Sequence, residues 1–476
     1  MSNLKVLLIN PNRMKPVVAP LALDYLSVSL ATHGIDTKIL DLSFSEDVDE
    51  DIKCSLKKEH FDAVGVTIRN IDDSYFASQD FCLEKVKDII ELVKIYTDSP
   101  IVLGGVGFSI APIPALNYCN VDLGIWGEGE LAFPLLVKAL GIKKEYVKIP
   151  GLIFKDRDGY RMNPPFYLDL YQVSLAKRDA VNNRKYYQEG GMVGFETKRG
   201  CDQPCCYCAD PVAKGRKVRV RSPKDVAFEL EGLLEKGISV FHTCDSEFNV
   251  PDGHALEVCK EIVKRKLGDR INWYAYATPF RFSEELALWM RRAGCIGIDF
   301  GVDSGNEGIL KSLGRSYTPD DIRKVARICH RHGFAFMFDL LLGGPGEDRK
   351  TLKDTIDLMK EVNPSRVGIS LGIRIYPGTP LGKVLGEKMQ SSKRGFFGEL
   401  SAEMLKPIYY LSPELGENIQ EFIKELIAED NRFFFGGSED IEENYNYNNN
   451  SRLVQAIKKG YKGAFWDILR RIEETS

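Results

Sequence analysis

Short apolar runs alternate with helix-periodic stretches along residues 1 to 145. The runs at Lys5 to Ile9, Thr37 to Leu42, Ala63 to Ile68, Ile101 to Leu103 and Asp122 to Trp126 predict five strands. Helical patterns at about Pro20 to His33, Asp51 to Lys58, Gln79 to Tyr96 and Glu130 to Leu140 lie among them. Strands alternating with helices describe a doubly wound, Rossmann-like parallel sheet. Such a sheet binds its ligand beyond the carboxyl ends of its strands.

Residues 146 to 190 are irregular, with Pro150, Pro164 and Pro165 beside Phe166, Tyr167 and Tyr171, and read as a linker packed across a domain seam. A second series spans residues 191 to 390, with strands expected at Met192 to Thr197, Ser239 to Thr243, Asn272 to Thr278, Gly297 to Gly301, Ala335 to Leu342 and Arg366 to Arg374. Six such units make a partial (β/α)6 barrel, whose active residues gather at the carboxyl ends of the strands. Residues 391 to 476 read as a helical, aromatic domain, with Leu453, Ile457, Tyr461 and Phe465 at helical spacing and an Asn/Tyr-rich loop at Asn444 to Asn450. This last domain is expected to close the barrel mouth and shape the substrate pocket.

Composition narrows the class. A chain of 476 residues with 44% hydrophobic and 28% charged positions is that of a soluble multidomain protein. A net charge of -4 argues against nucleic acid as a partner. The basic run Lys214, Arg216, Lys217, Arg219, Arg221 and Lys224 is the local exception, and its alternation predicts a solvated strand edge or lid. The start shows no signal peptide and no apolar run reaches a membrane span, so no membrane partner and a cytoplasmic location are expected.

The candidate chemistry sits at Lys198 to Cys208. Cys201, Cys205 and Cys208 form a C-x3-C-x2-C spacing, which lets three thiolates wrap one iron–sulfur cubane and leaves a fourth iron without a protein ligand. Zinc is the competing reading, but it prefers a fourth Cys or His at short spacing, and the next histidine is His242. Cys206 falls outside the spacing and reads as a bystander.

With Tyr207, these residues resemble the signature C-x3-C-x-aromatic-C of the radical S-adenosylmethionine (SAM) enzymes. The resemblance implies a [4Fe-4S] cluster held by the three cysteines, with SAM on its open iron and Tyr207 beside the adenine. It implies further SAM contacts from Ser246 and Glu247 after the second barrel strand, and from Asp303 and Ser304, similar to a ribose-contacting Glu-Ser, after the fourth. Gly343 and Gly344 resemble the adenine-side glycine segment. Arg374-Ile375-Tyr376-Pro377-Gly378-Thr379-Pro380-Leu381 resembles a pattern of the branch that carries a cobalamin domain ahead of the barrel.

The first sheet is similar to that cobalamin domain. The corrinoid is expected over the strand ends, against Gly104, Gly105, Gly107 and Ser109 and against Gly127 and Glu128, with Arg69, Asn70 and Asp72 toward its lower face. No D-x-H-x-x-G motif is present, so no histidine ligand to cobalt is expected. The resemblance implies a methyltransferase acting on an unactivated carbon of a small molecule or natural product. It would work through a 5'-deoxyadenosyl radical and methylcobalamin, with flavodoxin or ferredoxin as electron donor. Ring contraction or cyclisation without net methyl transfer remains the alternative.

Overall fold

The computed structural model describes residues 4–142, 145–171, 177–436 and 449–474. Most of the expected Asn/Tyr-rich loop lies outside these residues.

The first sheet contains β1 (Leu4–Asn10), β2 (Ile35–Asp41), β3 (Ala63–Thr67), β4 (Ile101–Gly104) and β5 (Leu123–Ile125), all parallel. Two further strands, β6 (Leu152–Asp156) and β7 (Gly159–Met162), extend it antiparallel, giving the order β2-β1-β3-β4-β5-β6-β7. Part of the expected linker is therefore sheet. The short Asp156–Gly159 turn lets the chain double back along the edge of β5, so the edge is paired instead of open. Val6 and Leu8 face one apolar layer while Leu7 and Ile9 face the other, because helices cover both sides of a parallel sheet.

The second sheet holds β8 (Val193–Phe195), and then a two-stranded clamp, β9 (Lys198–Arg199) and β10 (Arg219–Val220), brackets the cysteine loop. The barrel continues through β11 (Val240–Thr243), β12 (Asn272–Ala277), β13 (Cys295–Asp303), β14 (Ala335–Leu342) and β15 (Arg366–Leu371). After it come β16 (Ile373–Arg374), β17 (Phe396–Gly398), β18 (Ile408–Tyr410) and β19 (Phe433–Phe434). The barrel order is β8-β11-β12-β13-β14-β15-β19, parallel throughout, and β16, β18 and β17 form a small antiparallel sheet.

The C-terminal region is thus mixed, and it divides between the two ends of the barrel. The small sheet packs beside the cysteine loop through Phe396, Ile408 and Tyr410. The last two helices, Ser451–Lys458 and Phe465–Glu474, pack on Val240, Tyr274 and Met337, near the amino ends of the strands. They plug the bottom of the barrel and do not close its mouth, which corrects the expectation for these residues. Their amphipathic faces match the apolar floor, with the Tyr274 hydroxyl donating to Asp467 at 2.7 Å. Among the described residues no helix is long and apolar enough to cross a membrane.

The basic run is a seam and not a solvated edge. Arg219 and Arg221 turn inward, and only Arg216, Lys217 and Lys224 are exposed. Arg221 donates to Glu229 at 2.8 Å and to the Tyr25 hydroxyl at 2.9 Å. Arg178 completes the group, reaching Asp24 at 2.7 Å and Glu229 at 2.8 Å. The first sheet, the linker and the barrel therefore meet at one buried ion cluster.

Candidate active site

The cysteine loop is an excursion between β9 and β10, tied at its base by the Cys201 N–H donating to the Gly215 carbonyl at 3.1 Å. Cys201 and Cys205 are each 8% exposed and Cys208 is half-buried. All are free thiols, and burial pushes the Cys201 thiol up to about 12. Cys206 turns away, with its sulfur 3.5 Å from the Ser312 carbonyl. Gly314 sits so close that a Cβ there would lie 2.4 Å from the Pro204 carbonyl, so only glycine lets this loop seat.

Among the described residues, no three His, Cys, Asp or Glu side chains converge as they would around one metal ion. Three thiolates on a cubane each bind a different iron and need no such convergence. Three thiols on one loop that do not converge on a single point fit a cluster better than zinc.

Arg315, which sequence reasoning missed, organises this loop. It donates to the Cys205 sulfur at 3.0 Å, to Asp303 at 2.5 Å and to the Gly301 carbonyl at 2.8 Å. The Tyr207 hydroxyl donates to the same Asp303 carboxylate at 2.6 Å. Asp303 adopts a left-handed backbone (φ 61°) at a bulge in β13, which turns its side chain toward the loop. Glu247 stands nearby, 3.9 Å from Arg315, and burial raises its carboxyl to about 7 against the pull of that guanidinium. The one sequence signal for Arg315 is its place directly after Gly314, in the turn that follows the fourth barrel strand's helix.

Other expected SAM contacts have protein partners. Ser246 donates to Asp210. Ser304 is fully buried and pairs with the Thr355 hydroxyl at 3.0 Å, on the helix side of the strand end. Its side chain faces the core and steadies the turn that carries Asp303. Both the Gly343 and Gly344 N–H groups donate to Glu347, which holds the glycine turn at the end of β14.

At the first sheet, Gly105 and Gly107 serve the chain itself: a Cβ on Gly107 would lie 2.7 Å from the Arg69 carbonyl and 2.9 Å from the Asn70 nitrogen. Gly104 accepts from the Ile68 N–H at 2.7 Å, and the Ser109 hydroxyl accepts from the Gly127 N–H at 3.0 Å. The strand-end loops are thereby stacked on each other. Glu128 is held by Arg219 at 2.5 Å and by the Leu168 N–H at 2.7 Å, so its side chain ties the strand-end loop to the seam.

Asp72 is buried and bound to Arg374 at 2.8 Å. Arg69 differs. It is exposed, has no carboxylate partner among the described residues, and its guanidinium donates to the Met14 sulfur at 3.6 Å. Yet it lies deep in the molecule, within electrostatic range of Tyr276 and Cys244 of the barrel. An exposed cation so far inside marks an internal space between the sheet and the barrel mouth.

A doubly wound sheet facing a barrel with a three-cysteine loop defines a B12-binding radical SAM protein, and both family descriptions match: B12 binding domain over residues 12–137 and Radical SAM superfamily over residues 195–359. The chain belongs to the cobalamin-dependent radical SAM methyltransferases. It is 30% identical to TsrM from Kitasatospora setae, a radical SAM methyltransferase solved with tryptophan substrate and a SAM analogue. The match covers 99% of this chain and 98% of that one, with a TM-score of 0.94. Another structure of that enzyme, with cobalamin and a [4Fe-4S] cluster bound, matches with a TM-score of 0.92. Tryptophan 2-C-methyltransferase of Streptomyces laurentii is 29% identical over 97% of this chain and 95% of its own length.

Proposed function

We propose that this methyltransferase acts on a ring carbon of an indole-bearing amino acid, with tryptophan the substrate to test first. The observation that carries this reading is the barrel lumen below the mouth. There the His242 and Tyr276 rings lie against each other, with centroids 4.6 Å apart and planes tilted by 53°, and Arg69 is within electrostatic range of Tyr276. The relatives' named substrate supports it.

Cys201, Cys205 and Cys208 would hold the [4Fe-4S] cluster. SAM would lie against Tyr207, Ser246, Glu247 and Asp303, and cobalamin between the first sheet and the barrel, with Arg69 and Asn70 toward its lower face. When bound, these groups supply a low-potential electron, an activated methyl group and a methyl carrier. The chain's own residues position and enclose. Arg315 neutralises charge that gathers at Cys205 and Asp303, and the Arg374–Asp72 bond fixes the loop carrying Arg69. The small sheet and its apolar contacts wall the site from water on one side.

A small electron-transfer protein, a flavodoxin or ferredoxin, would approach the loop edge at Asp202 and Pro204, which are exposed. The eight cysteines outside the cluster loop's triad are unbridged, which suits a reducing compartment such as the cytoplasm. The test is anaerobic turnover of reconstituted protein with L-tryptophan and methyl-labelled SAM. Labelled methyltryptophan formed in step with S-adenosylhomocysteine is expected. A rearranged product without the label would favour ring contraction or cyclisation and overturn the reading.

A further inference from the structure

The barrel lumen contains a carboxyl pair that the cofactor loops leave unused. Ile298, Phe300, Phe338 and Leu340 pack outward beneath the helices, so Asp299 on β13 and Asp339 on β14, which alternate with them, point inward. The two carboxyl groups lie close enough for each to act on the other. Burial and the neighbouring charge hold the Asp299 carboxyl well above its ordinary range.

Two observations indicate that the pair faces a ligand. Asp299 is 2% exposed, and its Oδ1 has no hydrogen-bond partner. A buried acceptor left without a donor is costly, so its retention calls for a group that completes it. Independently, Tyr276, the register neighbour of Asp299 on β12, is 41% exposed in the middle of the barrel, and its hydroxyl has no hydrogen bond among the described residues.

We propose that Asp299 and Asp339 receive an ammonium group of the substrate and so select amines, with Tyr276 and His242 against the adjoining ring. This deepens the function proposed above and rests on its placing of the substrate in the lumen. An ammonium carries three donors and no acceptor, matching the free Oδ1 of Asp299 and the Asp339 carboxylate. On binding, the ammonium screens one carboxylate from the other, and a proton held on the pair is released to solvent. Among the described residues no third acidic or thiol ligand joins them, which disfavours a metal ion. An anionic ligand at the same place would be repelled.

The experiment compares two ligands with one ring and opposite charge, tryptamine and indole-3-propionate, by calorimetry on the cluster- and cobalamin-loaded enzyme. The expected result is that tryptamine binds at least about tenfold more tightly, the scale of one charged hydrogen bond. Asp299→Asn and Asp339→Asn each abolish that preference, while indole-3-propionate binds as well as before or better. No preference in the wild-type enzyme overturns the proposal, as does equal weakening of both ligands in the variants. The wild-type comparison stands even if a variant misfolds. Failure of the methylation reading is separate: the amine preference would hold while tryptophan yields no methylated product.

Discussion

Arg374 and Asp72 stand 302 residues apart in sequence and meet in a buried ion pair 2.8 Å long. Arg374 also stacks on Tyr376, with its guanidinium 4.5 Å from the ring centroid, and the Tyr376 hydroxyl reaches Ser74 at 2.5 Å. The Arg-Ile-Tyr-Pro segment that follows β15 thus grips the loop that presents Arg69. Removing one partner leaves a buried charge unpaired, so Asp72→Asn or Arg374→Met is expected to cost about 3–5 kcal/mol. Both variants should also release cobalamin more readily. Chemical denaturation and corrinoid retention on gel filtration measure the two effects, and an unchanged midpoint in either variant would contradict the argument.

Cys201→Ala, Cys205→Ala and Cys208→Ala should each lose the cluster, whereas Cys206→Ala should keep it. The basis is the outward turn of Cys206 to Ser312. Iron content and visible absorbance after reconstitution decide the matter. Equal iron loss in Cys206→Ala would sink the assignment.

Tyr207 and Arg315 converge on one Asp303 carboxylate. Charged hydrogen bonds of this kind contribute about 1.5–3 kcal/mol. Tyr207→Phe is therefore expected to weaken SAM binding by roughly 10- to 100-fold, with the iron content intact. Because both changes act through one group, Tyr207→Phe combined with Asp303→Asn should cost less than the sum of the single changes. Strict additivity in SAM titrations would show that Asp303 does not link them.

Burial alone would raise the Glu229 carboxyl, but Arg221 and Arg178 hold it below its ordinary value. A depressed folded-state value gives stability that is present above the unfolded value and lost as pH falls through the folded one. The loss attributable to Glu229 should therefore begin below about pH 4.3. Glu229→Gln should lower stability at pH 7 and flatten this part of the acid limb. Denaturation midpoints from pH 7 down to pH 3 would reveal a wild-type limb shared unchanged by the variant if the cluster does not matter.

Cobalamin should bind without nitrogen from His33 or His60. The His33 ring meets the Ser29 carbonyl at 2.8 Å at the end of the first helix, and His60 is exposed just before β3. Both lie at the amino ends of strands, away from the Arg69 loop. Electron paramagnetic resonance of the bound Co(II) form should show no nitrogen splitting that disappears in His33→Ala or His60→Ala.

The sequence by itself determined the two alternating sheets and the cysteine loop, because an apolar run, a helical period and a C-x3-C-x2-C spacing are local and need no knowledge of what packs on them. It therefore placed five parallel strands of the first sheet and six of the seven barrel strands along the chain, missing β19. Only the tertiary structure decided which charges serve the fold. Asp72, Glu128 and Ser304 look like ligand contacts by position, yet their partners Arg374, Arg219 and Thr355 come from distant segments. The basic alternation after the cysteines could be an edge or a seam until the first sheet packed on it. The C-terminal helices carried an apolar face with no indication of which barrel end it would cover. Arg315 and the Asp299–Asp339 pair became visible only once neighbouring strands set their register, since a side chain's partners are fixed by what lies beside it in space.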